Sequence, residues 1–128
     1  MKTVLYLLLS ASLLFGACKK DDDCNETNLS NAIVGEWNVV VLVTIGSVEF
    51  KANGELVDDG GVFIQEQIGG VTVNEKRYEV ESNSRINIIA ETSSGNFEYA
   101  VDVTDFDCDE IDIDVPSLSI SGKLRRKE

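Results

Sequence analysis

The sequence predicts an all-β domain, a small eight-stranded antiparallel up-and-down barrel that follows an N-terminal leader and a flexible tether. Three observations lead to this fold class. From residue 35 onward the chain consists of short segments in which apolar and polar residues alternate, as in half-buried strands. Gly, Asn, Asp and Ser separate these segments as turn signals, and no helical periodicity follows. A closed eight-stranded barrel removes the exposed edges of such a sheet.

The N-terminal segment has the composition of a secretory signal peptide. Lys2 supplies a positive start, and residues 4–17 form an apolar run that only two serines interrupt. This run is too short to span a bilayer comfortably. Residues 1–17 are therefore assigned to a signal peptide that is removed from the mature protein.

Small residues directly precede Cys18, so this site resembles the lipobox of bacterial lipoproteins, with Phe15 where the family usually has leucine. The resemblance implies that the chain is cut before Cys18 and that palmitate or similar acyl groups modify the thiol and the new amino terminus. Each buried methylene contributes about 0.8 kcal/mol, and two or more chains anchor a protein stably. Cys18 is the predicted lipidation site.

Residues 18–30 form the predicted lipidated polar tether. Residues 19–23 read Lys-Lys-Asp-Asp-Asp and contain no apolar group, so they should stay solvated. A plain linker accounts for them. The acidic run also resembles the export signal that sends lipoproteins of one Gram-negative phylum to the outer face of the outer membrane. This resemblance implies a lipid-anchored location in the outer membrane, exposed at the cell surface.

The charge of the chain limits its partners. Its 128 residues carry a formal net charge of -12. Removal of the signal peptide takes away Lys2, which makes the remaining chain more negative by one charge. Such an acidic domain repels phosphate backbones, so no nucleic acid partner is expected. Anionic lipid headgroups repel it as well, so attachment to the membrane must come from the acyl chains.

The domain opens with a short helix or turn at residues 28–34, where too few residues follow the cap for more than one or two turns. A run of β-branched residues then predicts the first strand over residues 35–45, with the only tryptophan, Trp37, near its start. Gly46 and Ser47 mark a turn into a second strand at residues 48–51.

A hairpin follows the second strand. The three-residue loop Ala-Asn-Gly, with Gly54 in the left-handed conformation, is the favoured connection. It places Lys51 opposite Glu55 and Phe50 opposite Leu56, so that charges pair on one face and apolar groups on the other.

The third strand is expected over residues 55–65, with a bulge at its glycine pair. Residues 68–71 indicate a turn, and the apolar phase changes between Val73 and Tyr78, which requires a slip near residues 74–75. Five further strands are predicted at residues 76–81, 85–91, 96–103, 110–115 and 118–126. The inward-facing sets on them are Tyr78 and Val80; Ile86 and Ile88; Phe97, Tyr99, Val101 and Val103; Ile111, Ile113 and Val115; and Leu118, Ile120 and Leu124.

The Gly35-x-Trp37 triplet, the Asn-Gly hairpin and the Leu-Arg-Arg end of the last strand resemble the small bacterial lipocalin-like lipoproteins. The resemblance covers nearly the whole domain, assigned to residues 31–128. It implies that Trp37 closes the base of the barrel and that an arginine lies across its ring. Alternation along the strand points Arg126 inward and Arg125 outward, so Arg126 is the predicted cation-π partner.

Cys24 and Cys108 are the only cysteines that remain after lipidation of Cys18. In an eight-stranded barrel both chain ends lie at one pole, and the lipocalin-like fold places the loop before Cys108 there too. An oxidising compartment favours a disulfide between them, which would stabilise the fold by about 4 to 5 kcal/mol in the chain-entropy model. Two free thiols are the alternative.

Neither an enzyme nor a cofactor is predicted. The chain contains no histidine, which excludes Ser-His and Cys-His nucleophiles and the usual zinc sites. Asp105, Asp107 and Asp109 begin like a calcium loop, but the sixth position is not glycine and Pro116 occupies the twelfth. A solvated turn is the better interpretation, and no metal site is assigned. No spacing selects a carboxylate pair for glycoside chemistry.

Two functions are compatible with this fold. The lipocalin resemblance implies that the barrel binds a small hydrophobic or amphipathic ligand at the mouth opposite the tether, with Phe63, Phe97 and Tyr99 as candidate wall residues. Four turns would form that mouth, at residues 46–47, 69–70, 94–95 and 116–117. Alternatively, side chains fill the barrel and its outer surface binds an envelope protein or a glycan. An internal cavity of several hundred Å³ would favour the ligand, and a solidly packed interior would exclude it.

Overall fold

The computed structural model describes residues 24–127. The predicted signal peptide, Cys18 and the first part of the tether lie outside these residues. A one-turn helix is followed by nine strands, with a short 3-10 helix at Pro116–Leu118. Their bounds are α1 Leu29–Ala32, β1 Gly35–Val41, β2 Val43–Phe50, β3 Leu56–Val57, β4 Gln67–Ile68, β5 Val71–Ser82, β6 Arg85–Thr92, β7 Gly95–Phe106, β8 Glu110–Val115 and β9 Ile120–Arg126. None of the helices in this part of the chain has the length and apolarity to cross a bilayer.

The nine strands form one curled antiparallel sheet, a half-barrel, in the order β3-β2-β1-β9-β8-β7-β6-β5-β4. Each strand pairs with the next one in sequence except β3 and β4, which form the two edges of the sheet. β9 returns to pair with β1, which brings Arg126 opposite Trp37. The β2–β3 hairpin reaches β5 across the open side. There Glu55 bridges to Arg77, and the Tyr78 amide donates to the Gly54 carbonyl over 3.0 Å.

The predicted β2–β3 hairpin is confirmed in its loop length and its register. Gly54 has φ of 93°, in the left-handed region that a three-residue loop requires. Phe50 pairs with Leu56, and the Lys51 amide donates to the Glu55 carbonyl over 2.9 Å. The side chains of Lys51 and Glu55 form an ion pair at 3.4 Å.

The predicted first strand is wrong in its length, because the chain reverses at Leu42. Val41 pairs with Val43 across this reversal, while Gly46 and Ser47 lie inside β2 and do not form a turn. β-branched residues favour extended backbone, but they do not specify where it folds back. The single predicted strand is therefore two paired strands.

The predicted third strand is also wrong beyond Val57. The chain leaves the sheet at Asp58 and forms a loop of residues 58–66, which we call the Asp58 loop, before the two-residue strand β4. Val62 of this loop packs against Gly46 of β2, where a Cβ would lie only 2.6 Å from the valine methyl group. The reversal at Leu42 moves the boundary between the first two strands, and β4, which lies where no strand was predicted, raises the count from the expected eight to nine.

The interior is packed with side chains at the closed end of the half-barrel. The slip expected near residues 74–75 is confirmed by a register shift between Val73 and Glu75. Most predicted inward residues are buried, but Phe97, Leu118 and Ile120 are 44%, 58% and 41% exposed. The core consists of Leu29, Ile33, Trp37, Val39, Val48, Phe50, Leu56, Ile64, Val73, Tyr78, Ile86, Ile88, Ala90, Val101, Val103, Ile111, Ile113, Val115 and Leu124.

Candidate functional site at the open mouth

The two ends of the half-barrel differ in how they are closed. We call the end that holds α1, Trp37 and the loop before β8 the N-terminal pole. The predicted disulfide between Cys24 and Cys108 is confirmed there, with 6.0 Å between the Cα atoms. The Asn83 amide also donates to the Thr27 carbonyl over 2.9 Å, which fixes the start of the domain to the β5–β6 turn.

Trp37 and Arg126 close the N-terminal pole. The indole is fully buried, and its Nε1 donates to the Ile33 carbonyl over 2.7 Å. The predicted contact is present, since Cζ of Arg126 lies 4.0 Å from the ring centroid. The three nitrogens of the guanidinium group also donate to backbone carbonyls: Nη2 to Ala32, Nη1 to Val34 and Nε to Cys108.

Position 35, two residues before this tryptophan, requires a glycine. Its φ of 131° is one that side chains rarely adopt, and a Cβ there would collide with the Arg126 guanidinium. The triplet is therefore part of the packing of the N-terminal pole.

The opposite end, which we call the mouth, is formed by the reversal at Leu42, the turn at residues 69–70, the turn at residues 93–94 and the 3-10 helix at Pro116–Leu118. Three of the four predicted mouth turns are in place, and Leu42 replaces residues 46–47. A cavity of about 380 Å³ opens here. This volume lies within the range of small-molecule sites in proteins.

Two strands and one loop make the walls of this mouth cavity. Cross-strand pairing aligns Ile88 with Tyr99 and Ala90 with Phe97 on the inner faces of β6 and β7. The Asp58 loop and β4 face them. None of the residues that line the cavity is charged; they are Gly61, Val62, Phe63, Ile64, Gln65, Gln67, Ile68, Gly69, Ile88, Ala90, Phe97, Tyr99, Ser117 and Leu118.

The Asp58 loop owes its shape to one carboxylate. Asp58 is 1% exposed, and its two oxygens accept the backbone amides of Val62, Phe63 and Ile64 at 2.7, 2.7 and 2.8 Å. Backbone donors satisfy this buried charge without a cation on the carboxylate. The loop wall of the cavity is therefore held in one conformation by a side chain that does not line the cavity.

Tyr99 connects the loop wall to the strand wall. Its hydroxyl donates to the Phe63 carbonyl over 2.7 Å. Burial raises the pKa of Tyr99 far above its usual range, and the negative charge of Asp58 raises it further. The group therefore stays protonated and remains a hydrogen-bond donor through the physiological pH range.

The three candidate wall residues Phe63, Phe97 and Tyr99 all line the mouth cavity. Sequence reasoning did not find the Asp58 loop, which supplies much of the opposite wall. The sequence signal for this loop was weak, because Asp-Asp-Gly-Gly at residues 58–61 is compatible with a bulged strand as well as with a loop. Leu118, expected in the core, instead lies at the cavity opening.

A larger cavity of about 520 Å³ lies in the gap between β3 and β5. Its charged lining residues are Glu55, Asp58, Asp59, Glu66, Glu75, Lys76 and Arg77. Lys76 pairs with Glu66 at 3.1 Å, and Arg77 pairs with Glu91 at 3.0 Å. A hydrogen bond to Glu91 and the charge of that residue raise the pKa of Glu75. This polar cleft does not suit an apolar ligand.

The aspartate-rich loop before β8 forms a turn stabilised by its own side chains. Asp107 Oδ1 accepts the amides of Asp109 and Glu110 at 2.7 and 2.8 Å, and Asp105 Oδ1 accepts the amide of Phe106 at 3.0 Å. Over residues 24–127, no cluster of three or more acidic or cysteine side chains is arranged to hold a metal ion.

No family model, curated protein or solved structure matches this chain.

Proposed function

We propose that this chain is a membrane-anchored lipoprotein of the cell envelope whose lipocalin-like domain binds a small hydrophobic or amphipathic ligand in the mouth cavity. The observation that carries this proposal is the uncharged lining of a cavity of about 380 Å³ in a chain with 27% charged residues. Apolar walls with a few polar groups are typical of small-molecule sites.

The lipocalin-like assignment is supported by the N-terminal pole. Gly35, Trp37 and Arg126 form one packed unit there, with the arginine stacked on the indole as the resemblance implies. The curled antiparallel sheet is compatible with the same assignment. The domain differs from the expected eight-stranded closed barrel in two ways: it has nine strands, and it is open between β3 and β5.

The proposed membrane location is supported by the lipobox-like sequence at Cys18 and by the place where the tether meets the domain. Cys24 lies at the N-terminal pole, so an anchor at Cys18 would hold that pole near the membrane. The mouth would then face away from the membrane. Metabolic labelling with palmitate, compared between the wild-type chain and a Cys18→Ser variant, tests the anchor.

Polar groups around the cavity indicate the ligand class. Gln65, Gln67 and Ser117 are the polar side chains of the lining besides Tyr99, whose hydroxyl is already bonded to Phe63. A ligand with an uncharged apolar body and a hydroxyl or amide group could form hydrogen bonds with these side chains. An ionised group inside the cavity would lack a counter-charge.

Ligand binding can be tested with the uncharged fluorescent amphiphile N-phenyl-1-naphthylamine and the full chain. Phe97→Asp puts a charge on the cavity wall at a site exposed enough to leave the fold intact, so the affinity for the probe should fall at least about tenfold. Asn96→Asp is the matched control, because the adjacent side chain points to the other face of β7. Equal affinity in both variants would refute the proposed site.

A further inference from the structure

Lys76 of β5 is a lysine on the inner face of the sheet. It lies opposite Ala90 of β6 in the antiparallel register, and directly opposed residues of such a pair share one face of the sheet. Ala90 is buried and lines the mouth cavity. The side chain of Lys76 is only 12% exposed, although a lysine is almost never buried without a partner. The partners of its ammonium group therefore indicate why it is there.

These partners are the two ends of the Asp58 loop. Lys76 Nζ donates to the backbone carbonyl of Asp58 over 2.5 Å and to Oε1 of Glu66 over 3.1 Å. Asp58 is the first residue of the loop and Glu66 is the last. The amide of Val73 also donates to the Glu66 carbonyl over 2.9 Å, so β5 holds the last residue of the loop by two bonds. A single side chain thus joins the beginning of the loop to its end.

The part of the loop between these two ends is a wall of the mouth cavity. Residues 61–65 line that cavity, and so do Gln67 and Ile68 directly after Glu66. Lys76 does not line it, since its side chain lies in the polar cleft between β3 and β5. Replacement of Lys76 can therefore reach a ligand in the mouth cavity only through the position of the loop wall.

Stability alone does not require a lysine at this position. Desolvation of a buried charge offsets much of the attraction in an ion pair, and a well-packed apolar side chain often stabilises such a site equally well. The side chain of Glu66 is 72% exposed, so solvent weakens this pair further. The ammonium group supplies geometry instead, because its two bonds fix the distance between the ends of the loop.

We propose that Lys76 is a positioning residue of the ligand site, which sets the affinity of the mouth cavity by holding both ends of the Asp58 loop. This inference rests on the proposed function. A site whose wall is in the binding-competent conformation for only part of the time binds more weakly by that fraction. Loss of Lys76 should therefore weaken binding although the residue does not touch the ligand.

The variant Lys76→Met keeps a long unbranched side chain and removes the ammonium group. The affinity of the full chain for N-phenyl-1-naphthylamine should fall about threefold or more. Hydrogen exchange should become faster at the backbone amides of residues 62–64, ahead of the rest of the sheet. Lys51→Met is the matched control, because it removes the same charge and breaks an ion pair of 3.4 Å in a hairpin outside the Asp58 loop. The control should change neither quantity.

Hydrogen exchange separates positioning from a general loss of stability, which would raise the exchange rate in all strands together. The inference is overturned if that uniform increase is seen, or if Lys76→Met binds the probe as tightly as the wild-type chain does. In the second case binding by the wild-type chain still supports the proposed function. If the wild-type chain does not bind the probe, the proposed function fails and this inference fails with it.

Discussion

The carboxylate of Asp58 accepts the backbone amide of Ile64 over 2.8 Å, six residues later in the chain. This bond, with those to Val62 and Phe63, turns a segment that could have continued the sheet into one wall of the mouth cavity. A buried carboxylate held only by backbone donors is sensitive to any change in its charge or its geometry.

We expect Asp58→Asn to destabilise the domain by about 3 kcal/mol, because an amide cannot accept three hydrogen bonds with a full negative charge and brings a donor into a site of donors. Urea unfolding measures the loss. Asp59→Asn is the control, since Asp59 is exposed, and its effect should stay within about 0.5 kcal/mol. Equal effects of the two variants would mean that the Asp58 loop is not held by this carboxylate.

Alkaline pH should weaken the domain through Tyr99. Its pKa is raised in the folded state, so the stability that its neutral form contributes is complete below the ordinary value of 10.0 and is lost as the pH rises above it. Thermal unfolding against pH should show this decline. Tyr99→Phe removes the titrating group and should flatten the decline.

Tyr78 provides the comparison for this pH effect. Burial raises its pKa as well, but Tyr99 has the added charge of Asp58 nearby. Tyr78→Phe should therefore flatten the alkaline decline less than Tyr99→Phe does. The reverse order would contradict the assignment of the shift to Tyr99.

Trp37→Ala should cost about 3 to 5 kcal/mol, because it removes a fully buried aromatic side chain and leaves the Arg126 guanidinium without its stacking partner. Arg126→Lys should cost about 2 kcal/mol, since an ammonium cannot reproduce the planar stack or donate in the same geometry to three carbonyls. Urea unfolding measures both. Arg125→Lys, at an exposed neighbour, should be close to neutral.

Removal of the disulfide by a Cys24→Ser, Cys108→Ser double substitution should lower the free energy of unfolding by about 4 to 5 kcal/mol. The reason is that the bond joins positions 84 residues apart and restricts the unfolded chain. Intact mass measured with and without reductant checks the bond itself. An unchanged mass on reduction of the unfolded wild-type chain would contradict the pairing.

The sequence by itself determined the features that depend on local chemistry. Alternation predicted the strands β6 to β8 closely and the second half of β5, which begins at Val71 and not at the expected Lys76. Gly54 specified the loop and register of the β2–β3 hairpin. The stacking of an arginine on Trp37 was implied by the lipocalin resemblance, and strand phase selected Arg126 for it. The pairing of Cys24 with Cys108 was expected because they are the only cysteines left after lipidation and because the resemblance implies that the loop at Cys108 lies at the same pole as the chain ends.

Only the tertiary structure decided the reversal at Leu42 and the shape of the Asp58 loop. A run of β-branched residues is equally compatible with one long strand or two paired ones, and pairing with β9 and packing of Val62 on Gly46 select between them. The mouth cavity exists because residues 58–66 form the Asp58 loop and do not continue the sheet. Its walls come from segments distant in sequence, and the buried carboxylate that positions one of them acts through backbone amides that no side-chain pattern reveals.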